Sequence, residues 1–501
     1  MTEPTPIVHT SLGTISGTKK GEVCSFKGIP YAQSLTPTTR FSPALPIGQW
    51  QGVFDASSYG PICPQKGLLR KKMGDNSLCL NIWTPITQKK LLPVLFFIHG
   101  GSFKQGAGSE TFYEGSHLAK EGEMVVVSIN YRLNIWGFCD FSSLDPSYTC
   151  NNGLTDVLLA LTWVKTHIHH FGGDASRVTI MGQSAGGTMV CTLFTIAAAK
   201  PLFAQAIILS GGPTQLQSKE ECLETSQAFL EYAEIDSKQT MESLSTQKLV
   251  GLQHTFAKKY SFGAATYRLT RDHNLVEAYP IPLALTGAGK GKPLLIGTTG
   301  EEMGFMNIKP LANLFKLNNL IEVGIALEPE HLRKELLDTY TAKYGEKQVR
   351  SLLYTDLLFR IASIWFAQAC SAYSPTWMYR FDFETKALKM QGMHAVNASD
   401  LPYVFGNLEN HLIQPMFLLD RDMNPIYAVA QEIQRGLTRF VHTGNLPWVQ
   451  IQNDQITAKC YDEHSSIGPM VDPAINELYH KTEYYRRSML GLGTFKEECN
   501  D

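Results

Sequence analysis

The amino-acid sequence predicts an α/β protein in which a large, mostly parallel central sheet is flanked by helices. Two observations lead to this prediction. Apolar runs rich in β-forming residues recur along the chain, and segments with apolar residues at helical spacing separate them. Strands that are apolar on both faces belong in the middle of a parallel sheet covered by helices. No repeat and no long Pro/Gly/Ser-rich linker divides the 501 residues, so we expect a single domain over 1–501.

Five continuous apolar runs are the strand candidates. They cover residues 94–98, 124–129, 178–181, 206–209 and 293–296. Between the second and third runs a helix is predicted at 154–170, because Val157, Leu161 and Val164 fall on one side of it. A later helix is indicated by Ile426, Val429, Ile433, Leu437 and Phe440. Gly444, just beyond that pattern, is typical of a helix end. This alternation favours one doubly wound sheet.

Two stretches, 213–290 and 307–372, look helical and irregular, and we expect them to be insertions that cover the sheet. The net charge of −2 gives no indication of nucleic acid or an anionic membrane as a partner, since both require clusters of basic residues. We therefore expect no nucleic-acid partner. The first residues lack the features of a signal peptide, and no apolar run approaches the ~18 residues of a membrane span. The ten cysteines show no metal-binding spacing. We therefore expect a cytoplasmic protein with no membrane span.

The sequence Gly-Gln-Ser-Ala-Gly at 182–186 directly follows the strand predicted at 178–181 and precedes a helix-compatible run. A serine on a tight strand-to-helix turn needs neighbours without bulk, which Gly182 and Gly186 provide. Such a turn lifts the hydroxyl clear of the sheet and aims the helix N-terminus at a developing oxyanion. Ser184 is therefore the predicted nucleophile.

A second glycine-containing segment, His-Gly-Gly-Ser-Phe at 99–103, follows the strand predicted at 94–98. Two consecutive glycines let backbone N–H groups point into a pocket where a Cβ atom would intrude. Gly100 and Gly101, together with the N–H of Ala185, are the predicted oxyanion hole for a tetrahedral intermediate. We expect His99 to be structural rather than a catalytic base.

At these residues the chain resembles the type-B carboxylesterase family, which includes cholinesterases, fungal lipases and bacterial esterases. The likeness runs from about residue 8 to 450. The segments that carry it are Phe-Lys-Gly-Ile-Pro-Tyr-Ala at 26–32, Leu-Asn-Ile-Trp-Thr-Pro at 80–85, Asn-Tyr-Arg-Leu at 130–133, Phe-Gly-Gly-Asp at 171–174 and Leu-Pro-Tyr-Val-Phe-Gly-Asn at 401–407. The resemblance implies an α/β-hydrolase fold with a deep gorge, a Ser-Glu-His triad, a small-molecule substrate and neither a metal nor an organic cofactor.

The resemblance also implies where the triad acid lies. In the family it follows a strand in a Lys/Arg-Asp-Glu-Gly turn, and here Glu302 falls at that position with Met303 in place of the glycine. Glu301 is the alternative acid. Secreted relatives also pair an early loop cysteine with one shortly before the Leu-Asn motif. Cys63 matches the first of these, but Ser77 stands at the second, so we expect that bridge to be absent.

The triad base is where the chain departs from the family. The family histidine lies three residues before the acidic residue that precedes Leu-Pro, and counting back from Asp400 reaches Asn397. The nearest histidine, His394, lies three residues earlier still. An asparagine side chain has no titratable nitrogen and cannot accept the proton of a serine hydroxyl.

Three hypotheses follow from this departure. A rearranged loop brings His394 to Ser184, since three residues span at most about 10 Å. Alternatively, the enzyme runs a non-hydrolytic reaction, such as a cyclisation, elimination or rearrangement, with Ser184, Asn397 and Glu302 as polar pocket groups. In the third hypothesis the chain is an inactive binding scaffold. We interpret the sequence as a serine carboxylic-ester hydrolase for a small or medium apolar ester or lactone, with Glu302 orienting His394.

Overall fold

The computed structural model describes residues 5–67, 71–86, 90–259, 266–308, 325, 328–452 and 456–492. The chain divides into two compact units. The first unit comprises Met1–Met189, Pro201–Gln205 and Gln217–Asn274. The second comprises Val190–Lys200, Ala206–Leu216 and Leu275–Asp501. The single domain expected from the sequence stays a prediction.

Strand Leu92–Ile98 is central to the sheet of the first unit. It pairs in parallel with Val125–Ile129 on one side and with Gly173–Gln183 on the other. All residues of Leu92–Ile98 and Val125–Ile129 are buried, as expected for strands covered on both faces. Antiparallel pairs then extend the sheet through Cys79–Pro85, Val23–Pro30 and Thr18–Lys20. A separate sheet consists of Ile7–Thr10, Gly13–Ser16 and Val53–Asp55.

In the second unit, parallel pairing joins Gln205–Leu209, Leu294–Thr299, Thr376–Phe381 and Thr457–Tyr461 in that order. Ser466–Pro469 closes this edge with an antiparallel pair. All five runs predicted as strands are strands, and the α/β class is confirmed. In each unit the parallel strands are followed by antiparallel ones toward one edge, where the sequence carries no continuous apolar run to mark them.

Helices surround these strands. In the first unit and at its border they are Ser116–Glu121, Asn134–Phe138, Asn152–His167, Ala185–Thr195, Lys219–Ala233, Lys238–Ser243 and Thr246–Lys259. In the second unit they are Pro280–Leu285, Glu330–Tyr344, Val349–Thr355, Ile361–Ser371, Lys386–Gln391, Leu401–Phe405, Asn424–Thr443, Pro473–His480 and Glu483–Leu490. The two predicted helices correspond to Asn152–His167 and Asn424–Thr443, and Gly444 ends the latter with a φ of 64°. Residues 260–265, 309–324 and 326–327 of the predicted insertions lie outside the described residues.

Several residues of the segments that carry the family resemblance hold the first unit together. The guanidinium of Arg132 donates to both carboxylate oxygens of Asp156, at 2.8 and 2.7 Å, and also to the carbonyls of Arg40 and Ser42. Arg132 and Asp156 are fully buried, so each charge is compensated where water cannot reach it. Asn130 accepts from the Gly108 N–H at 2.9 Å. These residues position loops rather than perform chemistry.

Cys63 and Cys79 are both buried and free. The expected absence of the bridge of the secreted relatives stays a prediction. Burial raises the pKa of the Cys79 thiol to about 12. Within the described part of the chain, no helix has the length and apolar character needed to cross a membrane.

Candidate active site

Ser184 lies at the turn between strand Gly173–Gln183 and helix Ala185–Thr195. Its φ is 54°, in the left-handed region that residues with a Cβ atom rarely adopt. Strained backbone of this kind persists only where the surrounding structure enforces it, and it clusters at functional sites. The predicted nucleophile therefore has the backbone conformation of a sharp strand-to-helix elbow.

The two glycines that flank Ser184 are required by close backbone contacts. A Cβ atom on Gly182 would lie 2.2 Å from the carbonyl oxygen of Gly186. On Gly186 it would lie 2.1 Å from the carbonyl oxygen of Ile98. Both obstacles are backbone atoms, which cannot rotate away. The sequence prediction of neighbours without bulk thus has a geometric reason.

The register of the sheet brings the two glycine-containing segments together. Ile98 pairs with Gly182, so the chains that follow these residues leave the same edge of the sheet side by side. A Cβ atom on Gly100 would lie 3.1 Å from the Cβ of Ser184 and 2.7 Å from the carbonyl oxygen of Gln183. Gly100 therefore lies against the nucleophile.

The loop after Gly100 is also conformationally unusual. Gly101, Ser102 and Phe103 have φ values of 111°, 54° and 58°. A Cβ atom on Gly101 would lie 1.9 Å from the carbonyl oxygen of Gln105. Three consecutive positive φ values turn the backbone sharply beside Ser184. The assignment of Gly100, Gly101 and Ala185 as the oxyanion hole stays a prediction that this geometry supports.

His99 is engaged in the wall of this loop. Its Nδ1 donates to the carbonyl of Gly100 at 2.8 Å, and its ring stacks on Tyr131 at a centroid distance of 4.4 Å. The Tyr131 hydroxyl donates to the carbonyl of His99 at 2.8 Å. Burial lowers the pKa of His99 to about 4, so its ring is neutral near pH 7. These contacts agree with the structural role predicted for His99.

In the second unit, Glu302 follows strand Leu294–Thr299 and is completely buried. One carboxylate oxygen accepts from the Thr299 N–H at 2.8 Å. The other accepts from the Nδ2 of Asn397 at 2.6 Å, and the Asn397 N–H donates to the Glu302 carbonyl at 3.1 Å. Burial raises the pKa of Glu302, and the hydrogen bonds oppose that shift. The side chain that bonds to Glu302, the predicted triad acid, is therefore that of Asn397.

His394 belongs to a different network. Its Nδ1 lies 3.1 Å from Oε1 of Glu384, and its Nε2 lies 3.0 Å from Nε2 of Gln348. The Gln348 amide can only donate through that nitrogen, so Nε2 of His394 is the acceptor and Nδ1 carries the proton. The expected pairing of Glu302 with His394 is therefore corrected, since the side chain that bonds to Glu302 is Asn397.

Glu301, the alternative acid, points into the network of His394. Its carboxylate accepts from Asn307 at 2.8 Å and from Gln348 at 3.1 Å, and also from the Ser351 hydroxyl. Burial raises the pKa of Glu301. Two adjacent glutamates are thus separated by the turn, with Glu302 directed to Asn397 and Glu301 directed to Gln348.

Comparison with known proteins shows the family of this chain. The model of the carboxylesterase family matches residues 4–465. The chain belongs to the carboxylesterase family.

Individual relatives agree with this assignment. The para-nitrobenzyl esterase of Bacillus subtilis is 36% identical over 450 residues, covering 88% of this chain and 90% of that protein. Carboxylesterase 3B of Mus musculus is 30% identical over 89% of this chain and 85% of its own length. A solved thermophilic PNB esterase has a TM-score of 0.85 at 33% identity, covering 94% of this chain and 99% of its own. The α/β-hydrolase fold is thereby confirmed, and the protein is an enzyme of a family that hydrolyses esters of small molecules.

This carboxylesterase also contains a buried aspartate, Asp400, which in the sequence served only as the reference for counting back to position 397. Asp400 is fully buried, and the Tyr379 hydroxyl donates to its Oδ2 at 3.2 Å. Burial, and then the charge of Glu302, raise the pKa of Asp400 to about 7. The only sequence signal for it was an acidic residue directly before the apolar run at 401–405. Among the residues that the structure describes, no group of three or more His, Cys, Asp or Glu is arranged to hold a metal ion.

Proposed function

We propose that this carboxylesterase cleaves a small or medium apolar ester or lactone through an acyl-enzyme on Ser184. The observation that carries the proposal is the elbow itself, where Ser184 has a φ of 54° and the backbone of Gly100 lies against its Cβ. A strained turn with two obligatory glycines would be an unusual feature to keep in a protein that made no use of the serine.

In the proposed acylation, Oγ of Ser184 attacks the carbonyl carbon of the ester and its proton passes to solvent water, which also supplies a proton to an alcohol that leaves as an alkoxide. The carbonyl oxygen becomes an oxyanion that accepts from the backbone N–H groups of Gly100, Gly101 and Ala185. Collapse of the intermediate breaks the bond to the alcohol oxygen and leaves the acyl group on Ser184. Water then attacks the acyl carbon and releases the carboxylic acid and the free serine.

The residue at position 397 limits this chemistry. In the family the acid, the base and the serine act as a triad, and the resemblance carries these roles to Glu302, position 397 and Ser184. The Asn397 amide cannot hold the serine proton, so the steps that need a general base are slow. Enzymes without a triad base retain about 10³–10⁴-fold acceleration over water, from binding and the oxyanion hole. We therefore propose a slow hydrolase that prefers esters with good leaving groups.

Pre-steady-state kinetics with p-nitrophenyl butyrate tests the proposal. Acylation is slowed because the serine proton must pass to water, but a p-nitrophenolate leaving group needs no protonation, whereas deacylation needs an activated water and expels the serine alkoxide. We therefore expect acylation to be faster than deacylation, so that p-nitrophenolate appears in an initial phase stoichiometric with enzyme before a slower steady state. A fluorophosphonate probe should add its mass to the peptide that contains Ser184. The control is Ser184→Ala, which should show neither burst nor label. A wild-type enzyme without burst or label contradicts the proposal.

His394→Ala separates this mechanism from one with a relocated base. Because His394 is bound to Glu384 and Gln348, we expect the burst amplitude and the fluorophosphonate label to persist in the variant. Loss of both in a variant that remains folded would show that His394 moves to serve as the base.

A non-hydrolytic reaction is the second candidate function, and the Asn397–Glu302 hydrogen bond favours it. A neutral amide held by a buried carboxylate can donate or accept hydrogen bonds to a substrate without removing a proton. Cyclisation, elimination or rearrangement of a small metabolite would use such a pocket. Tight binding of apolar ligands by an enzyme that shows neither burst nor label would support this candidate.

A further inference from the structure

One surface of the second unit combines protruding apolar side chains with cations. Met390 is 77% exposed, Leu418 76% and Leu419 44%. Together with three cationic side chains they line a surface groove of about 590 Å³. The lining residues are Lys386, Lys389, Met390, Leu418, Leu419 and Arg421, which we call the basic apolar face.

The local sequence explains why these side chains face outward. In helix Lys386–Gln391, Ala387 and Leu388 are buried, which turns Lys386, Lys389 and Met390 to the outside. Similarly, the short helix Gln414–Phe417 buries Phe417, and the exposed Leu418 and Leu419 follow it. Each of the two segments is thus anchored by buried residues, one presenting Met390 and the other Leu418 and Leu419.

The cations of this face are available for a partner, because Lys386, Lys389 and Arg421 form no ion pair with any described residue. The neighbouring acids are turned to backbone groups. Asp420 accepts from the Lys386 N–H at 3.2 Å, and Asp422 accepts from the Asn424 N–H at 3.0 Å. Glu384 is occupied by His394 at 3.1 Å. The groove lining thus carries positive charge and no carboxylate.

We propose that the basic apolar face docks on an anionic lipid surface. Apolar side chains that protrude between lysines and arginines match the boundary between acyl chains and anionic headgroups, where the long cationic side chains reach the headgroups. A protein partner fits less well, because protein interfaces are depleted in lysine and because a lipid surface adapts to protruding leucines. This docking is peripheral, and it does not depend on the proposed ester chemistry.

Vesicle co-sedimentation of the full chain tests the proposal. We expect binding to phosphatidylcholine vesicles that contain phosphatidylserine, weaker binding to phosphatidylcholine alone, and a decrease as salt is raised above about 0.1 M. The double variant Lys386→Glu/Lys389→Glu should reduce partitioning at least about fivefold for each cation removed. Leu418→Ser/Leu419→Ser should also reduce binding, at every salt concentration.

Matched controls come from the same unit. Lys334→Glu/Lys347→Glu reverses two exposed lysines elsewhere, and Leu490→Ser alters a leucine that is 60% exposed. Both should bind like the wild type, and thermal unfolding should be the same for all variants. The proposal is overturned if the wild type ignores anionic vesicles, if the variants of the face bind normally, or if the controls lose binding equally. Binding of an acidic protein without any vesicle binding would also overturn it.

Discussion

Asn397 shows how one residue can change the chemistry available to a site whose other predicted residues match the family. Its amide donates to the buried Glu302 carboxylate at 2.6 Å, the kind of hydrogen bond that orients a triad imidazole. If Glu302 is the triad acid, as we propose, it has a hydrogen-bond partner in Asn397, but that partner has no titratable nitrogen. The hydrogen bond also explains why the asparagine is stable there, since it supplies Glu302 with a donor that a buried carboxylate needs.

Asn397→His should restore the base. We expect kcat/KM for an unactivated butyrate ester to rise about 100-fold or more, because a positioned general base contributes 10²–10⁴-fold. The pH–rate profile of the variant should gain an inflection near the ordinary histidine pKa of about 6.5. Asn397→Gln is the control, because it keeps an amide and should show neither change. A folded histidine variant without any gain would contradict the assignment of position 397 to the base.

Asp400 makes the stability of the protein depend on pH. Its folded-state pKa of about 7 lies above the ordinary aspartate value of about 3.9, because of burial and the nearby Glu302 charge. Between these two pKa values the folded state binds more protons than the unfolded state, so the free energy of unfolding falls as pH rises. Since one pKa unit corresponds to about 1.4 kcal/mol, ionisation of Asp400 destabilises the folded state by about 4 kcal/mol above pH 7.

Denaturation of Asp400→Asn over a range of pH tests this effect. The variant should be more stable than the wild type at pH 8 by up to about 4 kcal/mol, and the difference should shrink toward pH 4. Glu302 and Tyr379 are the titratable side chains that act on Asp400, and both are retained in the variant. The control is Asp338→Asn, which replaces an exposed aspartate. The difference in stability between this variant and the wild type should not change with pH. A difference for Asp400→Asn that stays constant with pH would show that folding does not raise the pKa of Asp400.

At the scale of elements, the site of the first unit is the junction of two parallel strands. Register Ile98–Gly182 sends the segments at 99–103 and 182–186 out of the sheet together, and the close contact of Gly186 with Ile98 locks them. Helix Ala185–Thr195 begins directly after the nucleophile, so its N-terminal dipole lies beside Ser184. The elbow is therefore a property of strand pairing as much as of the Gly-Gln-Ser-Ala-Gly sequence.

Gly186→Ala should disrupt this junction. The added Cβ would lie 2.1 Å from the Ile98 carbonyl oxygen, and a backbone obstacle forces the strand or the helix to shift. We expect a loss of at least about 3 kcal/mol in the free energy of unfolding, at the upper end of overpacking effects. Gly251→Ala is the matched control, since no atom lies within 4 Å of its Cβ position in helix Thr246–Lys259. That variant should gain about 0.5–1 kcal/mol. Equal effects of the two substitutions would contradict the close-packed elbow.

On the scale of the whole molecule, each of the two compact units contributes one set of predicted functional residues. The first holds Ser184 and the glycine loop, and the second holds Glu302, Asn397 and His394. Each unit also has its own buried parallel strands, and Ser184 in the first unit and Glu302 in the second follow the ends of such strands, whereas His394 and Asn397 follow helix Lys386–Gln391. Placement of polar groups at the carboxyl ends of parallel strands is the general rule for open α/β sheets.

The sequence alone determined the class of fold, the five central strands, the two predicted helices and the placement of Ser184 and Gly100 directly after strands. These follow from local patterns, because buried strands and tight glycine turns are encoded by neighbouring residues. Only the tertiary structure decided that Asn397 rather than His394 bonds to Glu302, that Glu301 points elsewhere, and that Asp400 is a buried acid. Those outcomes depend on contacts between residues up to about a hundred positions apart, and on burial, which no spacing along the chain specifies.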